Sequence, residues 1–551
     1  MKRKHAVGVF VVSMCVLVLI SSPSAQDSPN PMRIGLPQDW TQHHILFTRD
    51  GLMKNPGLLY NEPRVVHQAL MRWPGARPQL AEGNGGADFT PAPRPQRDWN
   101  VSLNNGRIAP NMFPAKYSFD PSAAPDCTND YVVFGLNHAG AAAQANLVAF
   151  NNLYAGSAPA GICGAAPTVL FAYNISTVTA GRILTSPVLS LDGKKIAFVE
   201  SGNISGNQLS VFHVVTWASG AGNGTAANHP AVPGVGNTAS MTSLTFAADL
   251  DTRSSPWVDY RSDTAYVGAD DGKIYKILNV FGGTPTLAGA PWPVTISPNT
   301  RASAPVFDNR LGLVMVGSQS GTFYSINATT GAVKSLVVGS GTNHGILAPP
   351  IVDVGNGTSF VVSANDGTSG VLIQVDSATM TRMARGRIGL ASKSGTAVNL
   401  YQPAFSNDYF NNPASGVARL CGTGAADTTP WQYAFGFTGI TMNTTPVSSA
   451  QLLTSTTAGC TGWTEFFNPN VGAGGTDFFF FGLTADCTGA GTSGCVVARN
   501  ANGTLTTANI TGGPTGVVVD NFSSQAQASS IYFTGAATPN TAYKFTQNGL
   551  Q

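Results

Sequence analysis

Three acidic side chains lie close together in the segment AADLDTRSSPWVDY, at Asp249, Asp251 and Asp259. Carboxylate oxygens are the ligands that calcium prefers in proteins, so this group is a candidate metal site. An EF-hand loop would need further acidic positions, a central glycine and a closing glutamate, whereas the stretch SSP intervenes here. The spacing therefore favours ordinary turn carboxylates, and we predict no metal.

Histidines are the second set of residues with catalytic potential. His138, His213, His229 and His344 lie beyond residue 100, and a nucleophile–base pair would need one of them beside a Ser or Cys in space. The sequence contains no Gly-x-Ser-x-Gly elbow leading into a helical pattern and no His-Glu-x-x-His motif. This favours isolated polar histidines in loops, and we predict no catalytic residue.

Two adjacent histidines, His43 and His44, lie in the segment DWTQHHILF. Paired histidines can bind a metal or a haem, but a lone pair supplies only two ligands. The alternative is a segment that docks Trp40, Ile45 and Phe47 onto the rest of the protein. We favour this docking segment and predict no cofactor.

Cysteines are candidates for disulfide bonds. Six remain once Cys15, inside an apolar N-terminal run, is set aside. Their even number in an exported chain favours disulfides, and none has the close paired spacing of a zinc site. We expect pairing in sequence order, although other arrangements are open. The candidates are Cys127, Cys163, Cys421, Cys460, Cys487 and Cys495.

The N-terminus resembles a secretory signal. Three basic residues at 2–4 precede an apolar run at 6–20 and the small polar stretch SSPSA at 21–25. This run is shorter than the roughly 20 residues of a membrane-spanning helix, and no comparable run follows. We therefore predict a signal peptide at 1–25, a secreted or periplasmic protein and no integral membrane span. A retained N-terminal anchor is the alternative.

Composition and charge exclude some classes. The 551 residues carry a formal net charge of only +2, which is too small to imply binding to nucleic acid. The 62 glycines and the low charged fraction of 11% favour short strands joined by tight turns over long helices.

The chain divides in texture near residue 98. Residues 26–98 are rich in Pro and Arg and are predicted to be a leader or linker. Within them, NEPRVVHQALMRW has an approximate apolar face and predicts one short helix. Residues 99–551 have a uniform texture of short strands and are predicted to form one domain.

A hairpin pattern recurs within that domain. TAYVGADDGKIYKI at 264–277 and LVMVGSQSGTFYSI at 313–326 keep their glycines and apolar residues while their turn residues change. Gly268 with Gly317, and Gly272 with Gly321, lie where a tight hairpin needs positive φ or close backbone approach. Val267, Val316 and the apolar residues after each turn are expected to be buried in a sheet covered on both faces.

Proline punctuates the same region. Pro lacks an N–H and suits the first residue of a strand, so segments such as ASAPVFD and APPIVD predict the first strands of repeated sheets. This predicts an all-β propeller of eight blades, with seven as the alternative, closed by a strand from WNVSLNNG at 99–106. The expected first strands lie near Tyr117, Val188, Thr245, Val306, Ile351, Ala404, Val447 and Val517.

The segments YVGADDGKIYKI and VMVGSQSGTFYSINATTGAVK resemble the repeat of bacterial quinoprotein-dehydrogenase-like β-propellers. That resemblance implies a propeller and, in the enzymes of the class, pyrroloquinoline quinone with calcium and often a vicinal disulfide. This chain has no adjacent cysteines, and Leu336 follows the Thr330-Gly331 turn where the repeat usually has Trp. We therefore predict no cofactor.

The resemblance also includes propellers that act as scaffolds at the bacterial envelope. We expect a non-catalytic binding or scaffold propeller whose ligand is a protein or polysaccharide of the envelope, bound by loops on one face or by the central channel. The alternative is a periplasmic quinoprotein-like oxidoreductase, or a propeller lyase or hydrolase, with its site at the channel.

Overall fold

A computed structural model gives the fold of most of the chain. The predicted signal peptide at 1–25 lies outside the described residues, as do Asp249, Asp251 and His344. The described residues are 35–73, 95–120, 125–156, 161–204, 207–248, 252–339, 345–389, 400–422, 429–454, 458–468, 474–487, 493–500, 502–521 and 528–546.

The predicted leader contains regular structure. Its elements are β1 (Leu36–Gln38), a 3-10 helix (Trp40–His43), β2 (Ile45–Leu46), α1 (Arg49–Lys54), α2 (Leu58–Asn61) and α3 (Pro63–Arg72), and β3 (Gln96–Ser102) follows. The helix predicted within NEPRVVHQALMRW is confirmed as α3. Pro63 occupies its first turn, and the side chain of Glu62 caps it by accepting a hydrogen bond from the backbone N–H of Arg64.

Eight sheets of four or five strands follow one another around a propeller. The first four blades contain, in chain order, β4 (Ala115–Ser118), β5 (Tyr131–Gly135), β6 (Leu147–Asn151) and β7 (Thr168–Tyr173); β8 (Thr179–Ile183), β9 (Val188–Leu189), β10 (Lys195–Ile204), β11 (Asn207–Thr216) and β12 (Ser240–Ala247); β13 (Trp257–Asp259), β14 (Thr264–Gly268), β15 (Lys273–Leu278), β16 (Thr286–Leu287) and β17 (Val294–Thr295); and β18 (Val306–Asp308), β19 (Leu313–Gly317), β20 (Thr322–Asn327) and β21 (Val333–Val337).

The last four blades repeat this order. They contain β22 (Ile351–Asp353), β23 (Thr358–Ser363), β24 (Gly370–Asp376) and β25 (Thr381–Ile388); β26 (Ala404–Phe405), α4 (Asn407–Asn411), a 3-10 helix (Pro413–Ser415), β27 (Val417–Gly422), β28 (Trp431–Thr438), β29 (Thr441–Met442) and β30 (Ser448–Gln451); β31 (Thr464–Asn468), β32 (Thr476–Leu483), β33 (Gly494–Asn500) and β34 (Leu505–Ile510); and β35 (Val518–Asn521), β36 (Ser529–Thr534) and β37 (Thr541–Thr546), completed by β3. The eight-bladed all-β propeller is confirmed.

Six of the eight expected first strands are correct and two are wrong. Thr245 lies on β12 and Val447 directly precedes β30, and both are outer strands. The inner strands that begin those blades are β13 and β31 instead. Proline is the reason for the error at Val447, because Pro is tolerated at a sheet edge as well as at the start of an inner strand.

The hairpin glycines behave as expected. Gly272 and Gly321 have φ values of +79° and +86°, a conformation that side-chain-bearing residues rarely adopt. Gly268 and Gly317 allow close approach instead: an added Cβ would lie 2.6 Å from the side chain of Ala302 and 2.2 Å from that of Ile346, respectively. The two glycines of each hairpin thus serve different needs.

The ring closes between the last and first blades. β3 pairs antiparallel with β37, as the sequence predicts. Across this seam Lys116 Nζ on β4 lies 2.9 Å from Asp520 on β35, and within blade 8 Lys544 Nζ lies 2.8 Å from Asp98. Buried pairs of this kind are costly to break, because the remaining charge has no partner.

Three disulfides link the six predicted cysteines, and the prediction of disulfide bonds is confirmed. Cys127–Cys163 lies in blade 1, Cys421–Cys460 links blade 6 to the chain entering blade 7, and Cys487–Cys495 spans a loop of blade 7. No helix in the described part of the chain is long and apolar enough to cross a membrane.

Candidate binding site at the plugged channel

The segment 35–73 lies across the central channel, and we call it the channel plug. β1 pairs antiparallel with β4, the innermost strand of blade 1, and β2 pairs in parallel with β22, the innermost strand of blade 5. Both plug strands therefore lie on the channel side of the ring. Because blades 1 and 5 face each other across an eight-bladed ring, the 3-10 helix between β1 and β2 crosses the channel.

The channel plug contacts all eight blades. The contacts, in blade order, are the pairing of β1 with β4; the backbone N–H of Leu189 with Asp39 Oδ2 (3.3 Å); Arg64 Nη2 with the carbonyl of Val258 (2.9 Å); Asn309 Nδ2 with the carbonyl of Asn61 (3.2 Å); the pairing of β2 with β22; Arg72 Nη1 with Asn407 Oδ1 (3.1 Å); Arg72 Nη1 with Glu465 Oε1 (2.9 Å); and packing of β1 on β35.

Apolar side chains anchor the plug in the channel. Trp40, Ile45 and Phe47 are at most 2% exposed, which confirms that this stretch docks onto the rest of the protein. The ring of Trp40 meets that of Trp257 in blade 3 edge to face, with centroids 5.8 Å apart. Burial of these rings removes apolar surface from water and favours the docked state.

A buried arginine provides the main polar anchor. Arg64 is fully buried, with Nη1 2.9 Å from Glu62 Oε1 and Nε 2.6 Å from Thr41 Oγ1. Its guanidinium also lies 4.1 Å from the ring centroid of Trp257. Burial raises the pKa of Asp39, and the nearby guanidinium of Arg64 opposes that rise. The plug thus buries charges that depend on one another.

The paired histidines are held as neutral side chains. His44 Nδ1 donates to the carbonyl of Pro350 at 3.1 Å, and burial lowers the pKa of His44 to about 3. Burial also lowers the pKa of His43 to about 4. Among the described residues, no group of three or more His, Cys, Asp or Glu side chains is arranged to hold a metal ion.

A small cleft of about 60 Å³ lies between the plug and blades 7 and 8, lined by His43, Arg72, Glu465 and Val518 among others. Arg72 and Glu465 form a bidentate ion pair, with Nη1 2.9 Å from Oε1 and Nη2 2.5 Å from Oε2. Burial raises the pKa of the neighbouring Asp477 well above its usual range, and Glu465 adds to the rise. The charges at this cleft therefore pair with each other, which suits a structural contact between plug and ring.

The outer side of the plug exposes apolar side chains. Met53, Leu59 and Tyr60 on α1 and α2 are 53%, 39% and 74% exposed, whereas Leu52 and Leu58 on the same helices are buried. We call Met53, Leu59 and Tyr60 the plug patch. Met and Tyr are enriched in protein–protein interfaces, so this patch is a candidate docking surface.

Other predicted residues fall into distinct settings. Asp259 accepts hydrogen bonds from Arg261 and Ser262, as a turn carboxylate does. His138 lies in a loop and His229 is exposed.

His213 corrects the expectation of loop histidines, because it lies on β11 and is fully buried. Its ring is satisfied by Glu200 and Ser243 on the neighbouring strands, so a polar side chain is tolerated inside the blade.

Arg64, Arg72 and Glu465 were not singled out by sequence. Arg64 lies 194 residues from Val258 in the chain, and Arg72 lies 393 residues from Glu465. The residues Glu62-Pro63-Arg64 indicate the N-terminus of α3, but they do not indicate what the arginine side chain binds. No pattern in one sequence joins partners so far apart.

No protein-family model and no curated protein matches this chain. Solved structures that resemble it include BamB from Moraxella catarrhalis, with 14% identity over 82% of this chain and 99% of that chain and a TM-score of 0.42. The Dos1 propeller has 10% identity over 82% of this chain and 95% of that chain, with a TM-score of 0.48. Identities this low carry no information about ligands. The propeller architecture follows from the eight sheets themselves.

Proposed function

We propose that the protein is an exported binding or scaffold propeller at the bacterial envelope, with no catalytic site at its channel, and that a partner protein docks on the plug patch. The observation that carries this proposal is the channel plug, which contacts all eight blades from inside the ring. Six inner strands of the ring, where a channel ligand would bind, already contact the chain's own segment: β4, β9, β13, β22, β31 and β35. Binding is therefore assigned to an outer surface.

The chemistry of the plug patch supports a protein partner. Tyr60 and Met53 expose more than half of their surface. The helices that carry them are anchored to the protein by the buried side chains of Leu52 and Leu58. An anchored surface loses little conformational entropy on binding, which favours affinity. An envelope polysaccharide, the other ligand class predicted, would instead favour hydrogen-bonding side chains around the aromatic ring.

The plugged channel counts against the alternative functions. A quinoprotein-like oxidoreductase, or a lyase or hydrolase with its site at the channel, would need substrate access to the inner strands. Trp40, Thr41 and Gln42 are buried in that space. We therefore retain binding as the proposal.

Envelope binding by patch variants tests the proposal. Purified protein is mixed with envelope fractions, and the bound share is measured by sedimentation. Tyr60→Asp should weaken binding about tenfold or more, because a charge replaces the most exposed ring of the plug patch. Val337→Asp is the matched control, since Val337 is 65% exposed on the outer strand of blade 4. Equal loss in both variants, or no binding by the wild type, would overturn the proposal.

Two further measurements address export and the alternative. Mass spectrometry of the secreted form should place signal cleavage near residue 25. When calcium and pyrroloquinoline quinone are added, the absorption spectrum of the mixture should equal the sum of the spectra of the protein and the free quinone. Quinone-dependent dye reduction would favour the oxidoreductase.

A further inference from the structure

Three polar side chains line up across blade 2, away from the channel plug. Glu200, His213 and Ser243 lie on β10, β11 and β12, which are adjacent strands, and His213 and Ser243 are direct cross-strand partners. His213 Nε2 lies 2.8 Å from Glu200 Oε2, and His213 Nδ1 lies 2.9 Å from Ser243 Oγ. The order is carboxylate, imidazole, hydroxyl.

Hydrogen bonds fix the direction of proton transfer along this row. The Glu200 carboxylate accepts from the backbone N–H of Thr177, at 3.1 Å to each oxygen, and from its hydroxyl at 2.7 Å. A carboxylate held in this way accepts from Nε2 and keeps the imidazole proton there. Nδ1 is then the unprotonated nitrogen, and it accepts from the Ser243 hydroxyl.

Burial differs along the row. The side chains of His213 and Glu200 are 0% exposed, whereas Ser243 is exposed on β12, the outer strand of blade 2. In the described part of the chain, no strand pairs with the outer edge of β12. Alternate backbone N–H groups of that edge therefore point to solvent beside Ser243 and are free to donate to a bound oxygen atom.

We infer that Ser243 is a nucleophile activated by His213, with Glu200 as a positioning residue, and that it accepts acyl groups from carboxylic esters. A histidine with a purely structural role would need only buried partners. Here the imidazole connects a buried carboxylate to a solvent-facing hydroxyl, which is the arrangement that acyl transfer uses. The site lies at the unpaired edge of β12 and is not enclosed, so it suits ester groups that protrude from the molecule that bears them.

The reaction balances with water as the second reactant. Ser243 Oγ forms a bond to the carbonyl carbon while its proton passes to His213 Nδ1. The C–O bond of the ester then breaks, and the leaving alkoxide takes that proton and departs as an alcohol. Water then bonds through its oxygen to the acyl carbon while one of its protons passes to His213 Nδ1. The bond between that carbon and Ser243 Oγ breaks, Oγ takes the proton from Nδ1, and the carboxylic acid is released. Edge N–H groups of β12 would stabilise the oxyanion in both steps.

A fluorophosphonate probe and 4-nitrophenyl acetate test this inference on the full chain. We expect covalent labelling that maps to Ser243 by mass spectrometry, and ester hydrolysis above the buffer rate. Ser243→Ala should abolish the labelling and lower hydrolysis at least about 100-fold. Ser240→Ala is the matched control, because Ser240 is exposed on the same strand. Labelling that is absent in the wild type, or unchanged in Ser243→Ala, would overturn the inference.

Glu200→Gln tests the positioning role. It should lower kcat while KM stays unchanged, since Glu200 orients the imidazole and does not contact substrate. Thermal melting of the variant shows whether it folds. A folded variant with unchanged kcat would remove Glu200 from the mechanism. The inference involves no plug residue, so its outcome is independent of the proposed binding function.

Discussion

Blade 4 and the channel plug are held in place by different kinds of contact. In blade 4 the hairpin of β19 and β20 pairs residues that are close in sequence, and it buries Val316, Phe323 and Ile326. In the plug, His44 bonds to the carbonyl of Pro350, 306 residues away. Local apolar pairing tolerates exchange between similar side chains. Remote polar contacts require particular atoms, so the plug is the more specific and the more fragile region.

Removal of Arg64 should have the largest effect. Arg64→Ala leaves Glu62 and Asp39 buried without their cation and should lower the free energy of unfolding by about 3–5 kcal/mol. Arg49→Ala is the control, because Arg49 is exposed on α1 and its loss should cost less than about 0.5 kcal/mol. Urea denaturation measures both. A loss below about 1 kcal/mol for Arg64→Ala would remove the supposed difference between plug and blade.

Acid should loosen the plug through His44. Burial lowers the pKa of His44 to about 3 in the folded protein, from 6.5, so the unfolded chain binds more protons as the pH falls below 6.5. The contribution of neutral His44 is complete above pH 6.5 and should fall by about 2 kcal/mol by about pH 5.

Asp308 in blade 4 should titrate in the opposite sense. Burial raises its pKa to about 6, so its contribution to stability is lost as the pH rises from 3.8 through about 6. The free energy of unfolding of the wild type and of His44→Gln is therefore measured by urea denaturation at about pH 5 and about pH 7.5. Asp308 contributes equally to both proteins, so the difference between their pH dependences is the contribution of His44. If the two proteins show the same pH dependence, the plug is no more sensitive to acid than the ring.

Matched apolar changes should have the smallest and most equal effects. Ile45 on β2 of the plug and Ile326 on β20 of blade 4 are both 0% exposed. Replacing either by Val removes one methylene and should cost about 1 kcal/mol. Equal losses would show that the two regions differ in their polar contacts alone, whereas a clearly larger loss at Ile45 would show that plug packing is also more exacting.

Sequence reasoning succeeded where the physics is local. Gly272 and Gly321 mark turns because few other residues adopt their backbone conformation, and Pro305 and Pro350 mark strand starts because they lack an N–H. It failed at Val447, where the same proline signal precedes an outer strand. The count of eight blades was correct because the two wrong strands were balanced by two that were missed.

The candidate sites were mostly beyond that reasoning. His213 was named among the histidines, but its partners depend on the register of β10, β11 and β12, which no short pattern fixes. Docking of Trp40 and Ile45 was predicted from their apolar character, yet the channel as their destination was not. A leader rich in Pro and Arg resembles a linker unless the surface that receives it is known.

The position of the plug in the chain has a consequence for biogenesis. Residues 35–73 precede every blade, so they are synthesised before any of them, but their binding surface includes β22, β31 and β35 from the second half of the chain. During synthesis the ring of Trp40 lacks its partner Trp257, and the ring of Phe47 lacks its partner Phe410, until those later residues have been made. Residues 35–73 are made first and are buried late, so a chaperone that shields them would have to stay bound longer than one that shields a later segment.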